Sequence, residues 1–185
     1  VPFLDDKFLS KIQNKIIKPT IEGIVKENMK YNGIVFIGLI KVNDEPYVIE
    51  YNVRMGDPET EVVFPRLKND LLELFDSMGT SKFKDIKLNI SDNHAATVIL
   101  VSGGYPESYE KGKTIEGLND LSEVSVFHAG TKKKNDSFIT SGGRVLAITS
   151  MGDNFELALK NSYNQINKIK FDGMNYRKDI GFDLL

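Results

Sequence analysis

Apolar residues recur at helical spacing at the start of the chain. Phe8, Ile12, Ile16 and Ile17 lie within DDKFLSKIQNKIIKPTIEGIVKENM, residues 5–29, on one face of a 3.6-residue repeat. Lys18-Pro19 breaks that run, because proline lacks an amide hydrogen and its ring crowds the preceding turn. The expected element is an amphipathic helix pair or one kinked helix. In GIVFIGLIKVNDEPYVIEYNV two β-rich runs flank Asn43-Asp44-Glu45-Pro46, a turn-forming cluster at hairpin length, so a β-hairpin is expected. Asp57 is placed to cap a helix with Pro58 at its first position, where the missing N–H is no loss. Pro65 should interrupt that helix, and Leu67, Leu71, Leu72, Leu74, Phe75 and Met78 continue an apolar stripe to Gly79, read as core-facing.

From KLNISDNHAATVILVSGGYP onward the period changes to strands: Ala96 to Val101, Val124 to His128 and Arg144 to Thr149, separated by Gly- and Asp-rich turns. A closing helix, DNFELALKNSYNQINKI, puts Phe155, Leu159, Tyr163 and Ile166 on one face. The change of period puts a boundary near residues 90–93, giving one unit over 1–91 and another over 92–185. Lys132 to Lys134 is the one charge run, and Asn135-Asp136 beside it make a solvated turn tip the expected reading. The pattern as a whole predicts mixed α and β structure (α+β) with largely antiparallel sheet.

Composition narrows the partners. At 41% hydrophobic residues, 185 positions can bury a real core. With 24 Lys plus Arg against 26 Asp plus Glu, the net charge of −2 gives no bulk reason to expect nucleic acid or an anionic membrane; a small molecule or a protein is favoured. The absence of cysteine excludes disulfides and thiolate metal sites and fits a reducing, cytoplasmic setting. The longest apolar run, Ile34 to Ile40, is too short to cross a bilayer. VPFLDD has neither the basic start nor the apolar core of a targeting segment, and the chain reads as an excised piece of something longer.

The stretch VIEYNVRMGDPETEV, residues 48–62, carries the chemistry. In a strand, residues two apart share a face, so Glu50, Asn52 and Arg54 would project together while Ile49, Tyr51 and Val53 face the other way. A carboxylate and an amide oxygen at that spacing can both reach a hard cation such as magnesium, completed by water and nucleotide phosphates. Arg54 offers planar, bidentate binding to a phosphate or carboxylate. Such a set suits phosphoryl transfer. A half-exposed antiparallel strand has the same alternation, and spacing alone does not decide between them.

YNGIVFIGLIKVNDEPYVIEYNVRMGDPETEVVFPRLKNDLLELF closely resembles the C-terminal lobe of the ATP-grasp region in the phosphoribosylamine–glycine ligase (glycinamide ribonucleotide synthetase) family. LVSGGYPESYEKGKTIEGL, VFHAGT, TSGGRVLAIT and RKDIGFDLL resemble that family's C-terminal domain, in the family's order and from about Pro2 onward. The resemblance implies the C-terminal half of an ATP-grasp domain over residues 1–91, followed over 92–185 by a small, mainly antiparallel C-terminal domain. It implies an ATP-dependent ligase joining glycine to 5-phosphoribosylamine through a glycyl phosphate, forming glycinamide ribonucleotide, ADP and phosphate. ATP and Mg2+, or Mn2+ in its place, would be the cofactors. Glu50 and Asn52 match the family's metal ligands, and Arg54 would contact the transferred phosphate or an anionic substrate group. Asp57, Pro58 and Glu59 match a GDPE turn on the substrate side, although capping alone would also explain Asp57. The family's N-terminal domain and first ATP-grasp lobe have no counterpart here, so the chain alone is expected to be inactive, with an exposed apolar face where that lobe would dock. Gly103, Gly104 and Tyr105 read as a tight turn, His128 as a structural residue, and Arg177 and Asp179 as a structural pair; His94 is given no role. A different ATP-grasp carboxylate–amine ligase, or a binding module that kept the fold, are the competing readings.

Overall fold

The first helical run does not stop at Pro19. In this computed structural model, which describes residues 4–184, α1 (Asp6–Ile12) continues through a π-helical turn (Gln13–Ile17) into α2 (Lys18–Lys26). Lys18 N–H reaches back to the Gln13 carbonyl, and Pro19 then sits in the first turn of α2, where its missing donor costs least. Asp5 caps α1 by accepting the Phe8 N–H at 2.7 Å, and Phe8, Ile12 and Ile16 are buried. Pro2 and Phe3, where the resemblance opens, and Leu185 lie outside the described residues.

Strands β1 (Phe36–Val42) and β2 (Glu45–Asn52) pair antiparallel around a two-residue turn, Asn43-Asp44, with φ of 48° and 63°. Both residues tolerate the left-handed region that such turns require, so Glu45 and Pro46, expected in the turn, instead begin the strand. The turn is tied to the helix by charge. Lys11 Nζ lies 2.9 Å from Glu45 and 3.3 Å from Asp44, Lys15 also binds Glu45, and Lys41 lies 3.0 Å from Asp44. The chain then passes through α3 (Thr60–Arg66), described below, to α4 (Leu71–Ser77), whose cap Asp70 accepts from Leu72 and Glu73 N–H. Of the stripe expected to face a core, Leu74 is buried, whereas Leu72 is 77% and Phe75 46% exposed.

Residues up to Gly56 and Asp70–Lys87 make one compact unit; Asp57–Asn69 and Leu88–Asp183 make a second. The second is built from β3 (His94–Val101), β4 (Thr114–Ile115), β5 (Ser125–His128), β6 (Thr131–Lys134), β7 (Ser137–Thr140), β8 (Arg144–Gly152) and α5 (Phe155–Ile166). One antiparallel sheet has the order β3-β8-β5 and the other β4-β7-β6. Val98 and Leu100 of β3, Leu146 and Ile148 of β8 and Ile166 of α5 form the core with Ile169 and Phe171. Asn154 caps α5 through the Leu157 N–H. Lys132–Lys134 lie in β6, an edge strand where lysines discourage further pairing; only Asn135-Asp136 form the tip.

Helix α3 packs in this second unit. Its cap position is Glu59, not Asp57, and Pro65 is accommodated inside its last turn. Leu67 then bridges to Ile90, and the Arg66 guanidinium donates to the carbonyls of Ser91 and Asn93, each at 2.9 Å. Among the described residues no helix is long and apolar enough to cross a membrane.

Two expected outcomes follow from this packing. Hydrogen bonds from Lys15, then Lys11, hold the Glu45 carboxyl below its ordinary value, and Lys41, then Lys11, do the same for Asp44. A depressed carboxylate contributes stability that is complete above the ordinary carboxylate range and is lost as pH falls through the depressed value. Glu45→Gln should therefore melt below the parent at neutral pH and converge with it in strong acid, as thermal melts across pH would show. Ile148 is fully buried in the central strand, and Ile148→Ala should cost about 3 kcal/mol in denaturant unfolding, part transfer and part cavity.

Candidate functional site

The polar stretch of β2 divides in two. Gly38 of β1 faces Glu50, but the next residue, Leu39, faces Val48, so Ile49 is an extra residue in a bulge. Bulges re-aim side chains, and this one lies directly before Glu50. Gly38 also makes room, since a Cβ there would lie 3.1 Å from Glu50 Cγ. Asn52 Nδ2 donates to Glu50 Oε1 at 2.8 Å, which brings the two expected metal ligands together. The second Glu50 oxygen and the Asn52 carbonyl oxygen remain as hard donors. Among the described residues no group of three or more His, Cys, Asp or Glu side chains converges, so this pair fits a cation that draws its other ligands from phosphate and water.

Arg54 departs from the expected geometry. β2 ends at Asn52, and Arg54 lies beyond it, exposed, its Nη1 donating to the Met55 carbonyl at 3.0 Å. Nor does the opposite face bury its apolar residues: Ile49, Tyr51 and Val53 are 65, 50 and 71% exposed.

Asp57, Pro58 and Glu59 belong to the second unit. The Asp57–Pro58 peptide is cis, and the Asp57 carboxylate, expected to cap a helix, pairs instead with Arg144 Nη2 at 3.2 Å. Arg144 Nη1 also donates to the Asp57 carbonyl at 2.9 Å. An ionic partner 87 residues away outcompetes the local cap. Pro58 lines a cleft of about 570 Å3 with Ile99, Val101, Tyr105 and Arg144. Glu59 is exposed at the start of α3. The spacing within TSGGRVLAIT gives Arg144 no role by itself; its one local signal is an arginine directly after paired glycines.

The other singled-out residues have local partners. His128 Nδ1 lies 2.9 Å from Thr131 Oγ1, and its ring lies 4.5 Å from that of Phe138, whereas His94 begins β3, exposed. Arg177 holds Asp179 through two bonds of 3.0 and 3.1 Å, which keeps that carboxyl below its ordinary value. Gly104, at φ 94°, makes a tight turn in which Tyr105 N–H donates to Ser102.

Comparison with known proteins places this geometry. Residues 1–60 match the family described as "Phosphoribosylglycinamide synthetase, ATP-grasp (A) domain", and residues 95–183 match its "C domain". The class is therefore that of the ATP-grasp ligases. The chain is 43% identical over 179 residues, 97% of its length, to the phosphoribosylamine–glycine ligase of Caldanaerobacter subterraneus, and 43% identical over 182 residues to that of Fusobacterium nucleatum. A crystal structure of the Thermotoga maritima phosphoribosylamine–glycine ligase superposes with a TM-score of 0.81 at 32% identity, covering 97% of this chain and 44% of that one. The chain belongs to the phosphoribosylamine–glycine ligase family, and it spans 43% and 42% of the length of the two curated relatives.

Proposed function

We propose that this chain supplies the second ATP-grasp lobe and the C-terminal domain of an ATP-dependent ligase that joins glycine to 5-phosphoribosylamine, with residues 1–91 and 92–185 as the two parts. The observation that carries this reading is the ordered match to the A and C domains of one family, with relatives at 43% identity along nearly the whole chain. The reaction would convert ATP, glycine and the amine to glycinamide ribonucleotide, ADP and phosphate, by way of glycyl phosphate.

Glu50 and Asn52 would hold the divalent ion, Mg2+ or Mn2+, since both donors are hard oxygens that suit either. An ion held there would supply neutralisation of phosphate charge during transfer. Arg54 frees its guanidinium from the Met55 carbonyl to meet the transferred phosphate or the glycine carboxylate, for which its planar donors are suited. Asp57, Pro58 and Glu59 shape the substrate side. The opposing lobe, with the remaining nucleotide contacts, lies in the part of the ligase not represented in these 185 residues. Exposed Ile21, Val25, Ile49 and Val53 fit the docking of such a lobe. The compartment is cytoplasmic, and neither nucleic acid nor membrane is a partner.

The deciding assay is phosphate release from ATP that depends on both glycine and phosphoribosylamine. Full-length protein should turn over, the 185 residues alone should not, and full-length Glu50→Ala should lose at least about a hundredfold in kcat. Robust turnover by the chain alone, or an unaffected Glu50→Ala, would refute the assignment. Full-length Gly38→Ala should remain folded yet need about threefold to tenfold more free metal for half-maximal rate, because the added methyl displaces a ligand rather than removing it.

A further inference from the structure

Three glycine-bearing segments that the sequence singled out, SGGYP, FHAGT and TSGGR, converge on the first residue of β8. Ser102 N–H donates to the Gly143 carbonyl at 2.8 Å, and Ser102 Oγ to the Gly142 carbonyl at 2.9 Å. Gly130 N–H donates to the Arg144 carbonyl at 2.8 Å, and the Gly130 carbonyl accepts from Ser141 and Gly142 N–H at 2.7 and 3.1 Å. The approach is too close for side chains: a Cβ at Gly130 would lie 2.6 Å from Gly142 Cα, and one at Gly143 would strike the Tyr105 ring. A bulge adds to this. Leu100 faces Leu146 but Val101 faces Arg144, so Val145 is the extra residue that re-aims its neighbour.

What these loops fix in place is a side chain gripping one residue twice. Arg144 holds both the carboxylate and the main-chain carbonyl of Asp57, and that carbonyl belongs to the peptide joining Asp57 to Pro58. We propose that Arg144 is a positioning residue for the GDPE turn: it sets the orientation of Asp57 and Pro58 toward the amine substrate without itself touching the reacting atoms. This rests on the ligase reading above. The pair is more than a third exposed on both sides, 38 and 51%, so it adds little to stability. Its effect is orientational. Lysine cannot replace it, since a single ammonium does not present two fixed, diverging donors.

The test uses full-length protein carrying Arg144→Met, Arg144→Lys, Asp57→Asn, and Arg144→Met with Asp57→Asn, assayed for phosphate release dependent on glycine and phosphoribosylamine. Arg144→Met should lower kcat/KM for phosphoribosylamine about tenfold or more while KM for ATP stays within about twofold. Its melting temperature should move by less than about 4 °C. Arg144→Lys should recover little, and the double variant should be no worse than the worse single one, because both remove the same contact. Activity of Arg144→Met within about twofold of the parent, loss that tracks a fall in melting temperature, full rescue by lysine, or multiplied losses in the double variant would each overturn the inference while the ligase reading stands. No substrate-dependent release by the unmutated protein would overturn both.

Discussion

Burial of β8 organises the second unit. From Val145 to Ser150 every residue of this strand is buried, so its backbone groups must be met within the fold, by β3, β5 and the Ala129 N–H just after β5, and its side chains by packing on both faces. A strand so enclosed reads as a continuous apolar run rather than an alternation, and VLAI, residues 145–148, is such a run, followed by the buried hydroxyl residues Thr149 and Ser150. Its position between two partners is also what makes its first residue, Arg144, a fixed point. The strand cannot slide without moving every core side chain to the wrong face.

Two of the three sheets among the described residues, β1-β2 and β3-β8-β5, use the same device beside a candidate-site side chain. A regular strand puts side chains alternately up and down, and a single extra residue resets that alternation. The bulge at Ile49 precedes Glu50, and the bulge at Val145 follows Arg144. Close packing on glycine accompanies each: the Glu50 side chain lies over Gly38, the Gly130 backbone over Gly142 and the Tyr105 ring over Gly143. The glycines are thus needed for the space they leave, not for unusual backbone angles.

The elements legible in the sequence were those whose cause is local. The helical spacing of Phe8, Ile12 and Ile16, the strand ending in His128 and the closing helix depend on periodicity alone, and each is present. Misreadings came where a distant or cooperative partner decided the outcome. Asp57 before Pro58 is a sound local cap, yet its carboxylate is claimed by Arg144. Asp70, a better cap with two accepted N–H groups, was overlooked inside an apolar stripe. Lys132–Lys134 looked like loop because an edge strand need not bury either face, and the π-helical turn ahead of Pro19 has no compositional signature. In the candidate site, Glu50 and Asn52 were legible as a pair because two residues on one strand meet by geometry; Arg54 was not, because the strand ends first.

The Asp57–Arg144 contact also bears on how the chain comes to be ordered. A contact spanning 87 residues closes a large loop, and the entropy of closing it must be met by whatever forms alongside. The pair itself cannot meet it, being exposed and weak. What can is the burial of β8 against β3 and α5, where Leu100, Leu146, Ile148 and Ile166 are all fully buried. The GDPE turn is therefore ordered as a consequence of core formation in residues that follow it in sequence. Its local residues do not suffice to specify it, and substitutions around TSGGR that leave the fold intact can still disturb a turn that the sequence places far away.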